Sequence, residues 1–148
     1  MVSIIESFLD EHLRCNQIFA TAESLLRRGS PIAASHFLAF RDTLEAHCAH
    51  EEQVVFPAFE TLIGSPDGPT AVLRDEHARM LSLCSEILRA IEHAQADKAC
   101  GLADSLFLLL QSHMIREERL LYPLCDDALG HATYERPHAL PALGTGLA

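Results

Sequence analysis

Three observations predict an all-α protein folded as an up-down-up-down four-helix bundle. Four long stretches carry apolar residues at steps of three and four, the period of a helix packed on one side. The connections between them are short or marked by Gly and Pro. No segment alternates apolar and polar residues between turn signals, as a half-buried strand would.

Residues 2 to 28 form the first predicted helix, with Ile5, Phe8, Leu9, His12, Phe19, Ala22 and Leu26 on one face. Arg27 and Arg28 suit the negative end of its dipole, and Gly29 suits a left-handed cap. Ser30 and Pro31 then read as N-cap and first residue of the second helix. Its inward face is Phe37, Phe40, Leu44, His47, Glu51, Val54 and Val55, and Pro57 should kink or stop it. The run from Gly64 to Pro69 is the clearest break in the chain. Thr70 is the expected cap of the third helix, which runs to about Ala94 along Leu73, His77, Met80, Leu81, Cys84, Leu88 and Ile91. A short connection near Ala96 and Asp97 leads to the fourth. There Leu102, Leu106, Leu109, Leu110, His113, Glu117, Leu120, Leu121 and Leu124 face inward. Gly130 is the expected end, which bounds a domain over residues 1–130 and leaves 131–148 as a C-terminal tail.

The bulk numbers narrow the function classes. A chain of 148 residues, 49% hydrophobic with 7 Gly and 7 Pro, fits one packed domain. A formal net charge of −10 argues against nucleic acid or an anionic membrane as partner, since both need a basic surface. Five cysteines, an odd set without a CxxC pair, read as the reduced thiols of a cytoplasmic protein. No basic stretch precedes an apolar run at the N-terminus, so no signal peptide is expected. Leu106 to Leu110 is too short a run to span a bilayer.

The chemistry lies in a duplication. His47-Cys48-Ala49-His50-Glu51-Glu52-Gln53-Val54-Val55-Phe56-Pro57 returns as His113-Met114-Ile115-Arg116-Glu117-Glu118-Arg119-Leu120-Leu121-Tyr122-Pro123. Asp10-Glu11-His12 precedes the first copy and Asp75-Glu76-His77 the second. The spacing is 65 residues between His12 and His77 and 66 between His47 and His113. His47 and Glu51, like His113 and Glu117, are four apart and share a helical face that is otherwise apolar. Burying such groups unpaired costs roughly 2–7 kcal/mol for a neutral polar group and more for a charge. Two divalent cations offset that cost, with carboxylates bridging the ions and imidazoles capping the outer positions. Nitrogen and carboxylate donors without thiolate favour iron, with manganese and zinc as alternatives.

These motifs resemble a haemerythrin-like (HHE cation-binding) domain over about residues 3 to 125. The resemblance implies terminal ligands His12, His47, His77 and His113, with Glu51 and Glu117 as bridges. Oxygen-carrying haemerythrins have a fifth His one turn before the third-helix ligand, where this chain has Leu73. The chain is therefore more similar to the bacterial branch with four His and two carboxylates. That implies a non-haem di-iron centre with an open position for O₂, NO or peroxide, and favours redox reaction over simple oxygen carriage. The resemblance leaves open whether the centre turns over as an oxidoreductase, senses O₂, NO or redox state, or handles iron and repairs iron centres. It does not name a redox partner.

Other polar residues read more plainly. Glu52 and Glu118 point about a quarter-turn from the ligand face and read as solvated or salt-bridged. His36 and Glu23 lie eleven residues from the ligands His47 and His12, roughly 16 Å along a helix, too far to share an ion. His50 corresponds to Arg116 and suits a supporting role, while His93, His131 and His138 suit solvent or the tail. Cys15 corresponds to Met80, a sulfur-bearing core position. Phe8 and Leu73, one turn before His12 and His77, are expected to wall the pocket.

Overall fold

A computed structural model describes residues 3–129, all in helices and the turns between them. Helix α1 spans Ile4–Arg27 and begins on a capping box. The Ser3 hydroxyl accepts from the Glu6 amide at 3.1 Å, and the Glu6 carboxylate accepts from the Ser3 amide at 2.9 Å. At the other end Gly29 takes φ +67°. The Gly29 amide donates to Leu26 O and the Ser30 amide to Leu25 O, which satisfies two of the last carbonyls.

The second helix, α2, spans Ala33–Gln53 and begins two residues after the expected Pro31. Ser30 still faces it, accepting from the Ile32 amide at 3.4 Å through its hydroxyl and from the Ala33 amide at 3.2 Å through its carbonyl, in a turn through Pro31 and Ile32. A break at Val54 follows, then α3, Val55–Ile63, which carries Pro57 in its first turn, where a missing N–H costs nothing. The interruption predicted at Pro57 thus falls one turn earlier. Helix α4 spans Pro69–Glu92, with Gly68 before it and Pro69 at its first position. Thr70 is not the cap, because its hydroxyl donates to Glu60 at 2.8 Å, beside the Arg74–Glu60 ion pair. The turn into α5 (Ala96–Arg116) places Ala94 at φ +54°. A π-helical turn, Glu117–Leu121, continues into α6, Tyr122–Leu129. The expected end at Gly130 and the tail over 131–148 lie outside the described residues.

The four rods are α1, α2 with α3, α4, and α5 with α6. Helix α1 packs on α2 and α5, and α4 packs on the same two, which closes a square around the axis. The core falls into two apolar clusters. The larger includes Cys15, Phe19, Phe37, Phe40, Leu44, Cys48, Met80, Cys84, Leu106, Leu110 and Met114. The smaller includes Phe8, Val55, Phe56, Phe59, Leu73, Leu121, Tyr122 and Cys125. Each large side chain so buried contributes about 1.5–3 kcal/mol. Between the clusters lies a layer of buried polar groups.

The π-helical turn corrects one face. Leu120 and Leu124 are 64% and 49% exposed, whereas Leu121, Tyr122 and Cys125 are buried. The extra residue in the wide turn delays the helical phase, so the inward positions move from 120 and 124 to 122 and 125. The break at Val54 has the same consequence in the other copy, where Val55, Phe56 and Phe59 are buried.

Candidate metal centre

All six sequence-predicted site residues meet in the polar layer, and each is at most 5% exposed. They form two overlapping groups, His12, His47, Glu51 and Glu117 at one end, and His77, His113, Glu51 and Glu117 at the other. Within each group one donor atom per residue lies within 4.8 Å of the others. His47 and His113 reach the layer because each stands one helical turn before its glutamate. His12 and His77 come from the facing helices α1 and α4.

The imidazoles share one orientation, with Nε2 inward. His47 Nε2 is 2.8 Å from Glu51 Oε1, His113 Nε2 is 3.1 Å from Glu117 Oε1, and His12 Nε2 is 3.2 Å from the same atom. His77 Nε2 is 3.4 Å from Glu51 Oε1 and 3.1 Å from His113 Nε2. Closeness here is not pairing. Among the described residues, His47 Nε2, Glu51 Oε1 and both Glu117 oxygens are buried without an aligned hydrogen bond. Donor atoms that crowd within 3 to 4 Å yet do not point at each other point at a shared centre. Buried orphans of this kind are costly unless a cation satisfies them.

Each outward Nδ1 is tied to a carboxylate. His47 donates to Glu11 at 2.6 Å and His113 to Glu76 at 3.1 Å, while His12 donates to Glu118 at 2.8 Å and His77 to Glu52 at 3.2 Å. A proton held on Nδ1 leaves the Nε2 lone pair free, the tautomer that a metal ligand needs. Glu52 and Glu118, expected to be solvated or salt-bridged away from the ligand face, instead accept hydrogen bonds from the imidazoles themselves. Glu11 and Glu76 are supports that the sequence reading missed. Their signal was present, since the four glutamates recur at the same two spacings as the histidines. His50 adds its ring to Glu11 at 3.2 Å and does not join the cluster.

Electrostatics separates His47 from its counterpart in the repeat. Burial works against a charge on His47, but Glu51 and Glu11 outweigh it and lift its pKa to about 9. Burial, with His77 beside it, pushes the equivalent His113 down to about 3. Burial also raises both bridging carboxyls. At Glu51 the charge of His47 overcomes burial and holds it well below the usual range. At Glu117 the neighbouring Glu51 adds to burial and holds it well above. Glu11 is half-buried, which works against its charge, yet hydrogen bonds from His47 and His50 bring it to about 2. Two carboxyls this close cannot both carry a charge at low cost, so without a cation they titrate as a pair.

Tyr122 is the second residue the sequence reading missed. Its hydroxyl lies 2.9 Å from Glu51 Oε2, to which it donates, and 3.0 Å from His12 Nε2. The equivalent Phe56 stacks on His77, with centroids 5.3 Å apart. Phe8, fully buried, packs on His47 and Tyr122, and Leu73 is 4% exposed, so both wall the site as expected. Burial, then Glu11, pushes the Cys15 thiol up to about 12, so it stays neutral and packs as an apolar residue. His36 bonds the backbone of its own helix at Ile32 O, away from the cluster.

A four-helix bundle whose core gathers two groups of imidazoles around two shared carboxylates has the donor set of a cation-binding helical protein. The chain belongs to the family described as Hemerythrin HHE cation binding domain, which matches residues 3–125. No curated protein and no solved structure matches it. Among the described residues no helix is long and apolar enough to cross a membrane.

Proposed function

We propose that this domain holds two iron ions between α1, α2, α4 and α5 and reacts there with O₂, NO or peroxide. His12 and His47 would hold one ion and His77 and His113 the other, with Glu51 and Glu117 as bridges. The observation that carries the reading is the sharing of Glu51 and Glu117 between the two groups. A single shared pair of carboxylates keeps two cations close enough to act together. Imidazole and carboxylate donors suit iron, and the neutral buried thiols supply no softer site. Bound iron would supply the redox chemistry.

The protein residues set the conditions for it. Glu11, Glu52, Glu76 and Glu118 hold the rings in one tautomer and one orientation. Phe8, Phe56, Leu73 and Leu121 cover the layer on one side and restrict water, so only small molecules reach it. This is the four-His, two-carboxylate arrangement. Anaerobic loading is expected to give two irons per chain by elemental analysis. Stopped-flow mixing of that protein with O₂, NO and peroxide is expected to give a fast optical change with at least one of them. Protein that takes up no iron, or a loaded centre inert to all three, overturns the reading.

A further inference from the structure

Tyr122 brings a hydroxyl to the cluster, and its counterpart in the other half, Phe56, cannot do the same chemistry. Its hydroxyl lies 3.0 Å from His12 Nε2 and donates at 2.9 Å to Glu51 Oε2, so it touches a terminal ligand and a bridge of the proposed centre at once. Adjacent ligands on an octahedral ion with bonds of about 2.1 Å stand about 3 Å apart. That spacing is also the length of a hydrogen bond, so the hydroxyl, which donates to Glu51 without a cation, is close enough to exchange that bond for one to the ion. The ring is fully buried in the apolar roof, and among the described residues the hydroxyl's hydrogen-bond partners, His12 and Glu51, both belong to the cluster. The π-helical turn carries it there, by moving position 122 onto the inward face.

Resting on the di-iron reading, we infer that Tyr122 is a ligand to the ion at the His12 and His47 end. The open coordination position then lies at the His77 and His113 end. At that end Phe56 and Leu73 occupy the matching places, and neither has a donor atom. The first ion has five protein ligands, His12, His47, Tyr122 and the two carboxylates, and the second has four. Ligation releases the phenol proton to solvent, as metal uptake does at any protonated ligand. Small molecules should therefore bind beneath the Phe56 ring, against His77 and His113.

Iron-loaded, oxidised wild-type protein and Tyr122→Phe are compared, with elemental analysis on both. The substitution restores the residue type of the other copy, so folding and two irons per chain are expected to persist. Wild type should show a visible phenolate-to-iron charge-transfer band with tyrosine ring modes in resonance Raman, and Tyr122→Phe should lose both. The second tyrosine, Tyr134, makes that loss diagnostic. Azide titration should rise from one anion per iron pair in wild type to two in the variant. Two irons without tyrosine modes, or modes that survive Tyr122→Phe, overturn the ligand assignment and leave the di-iron reading standing. Wild-type protein that takes up no iron overturns both.

Discussion

The two ends of the cluster come from the same sequence pattern and behave differently. Each has two imidazoles, each imidazole has an outer carboxylate, and both ends share the two bridges. The halves also cross, because Glu118 of the second copy supports His12 of the first, and Glu52 of the first supports His77 of the second. Yet Tyr122 stands at one end and Phe56 at the other, and the thiols of Cys15 and Cys48 match the thioethers of Met80 and Met114. His47 is pushed up to about 9 and its counterpart His113 down to about 3. A duplication supplies the symmetric scaffold, and a few atoms then make its ends inequivalent. The crossing also means that neither half completes its own site.

The bridges test the shared part most severely. Glu51→Ala should lose both irons, because Glu51 belongs to both groups, whereas His47→Ala should keep one. Elemental analysis after anaerobic loading checks this, and two irons retained in Glu51→Ala would break the shared-bridge scheme. The crossed supports come next. Glu118→Gln and Glu52→Gln should each weaken iron binding about 10–100-fold, the usual effect of removing the group that orients a metal-ligating histidine. Chelator competition measures it. A loss confined to one variant would show that the crossing matters at one end only. The smallest effect concerns the connections. Gly29 and Ala94 are equivalent in the duplication and both take positive φ, +67° and +54°. Alanine pays a steric cost there that glycine does not, so Ala94→Gly should stabilise by about 1 kcal/mol. Thermal unfolding should then rise by about 2–4 °C. A fall would mean that Ala94 pays no such cost at its positive φ.

Much of the site was legible because metal-ligand spacing on a helix is a local property. His47 with Glu51, and His113 with Glu117, face one way whatever surrounds them, and the repeat then picked out His12 and His77. The outer carboxylates were not legible in that way. Glu11 and Glu76 are next to ligands in sequence, yet they serve a histidine on the neighbouring helix, a partner that periodicity within one helix cannot name. Tyr122 escaped for a different reason. A regular helix from Glu117 carries Leu120 and Leu124 inward, and only a wide turn brings position 122 to the core.

By itself the sequence determined four amphipathic rods, a repeated ligand pattern on their inner faces and an interior that needs cations. Those follow from residue period and from the cost of burying charge, both of which are set within a helix. Only the tertiary structure decided which carboxylate holds which imidazole. It alone placed a phenol at one end and a phenyl ring at the other. These depend on distances between helices and on the phase of one π-helical turn, which residue spacing along the chain does not encode.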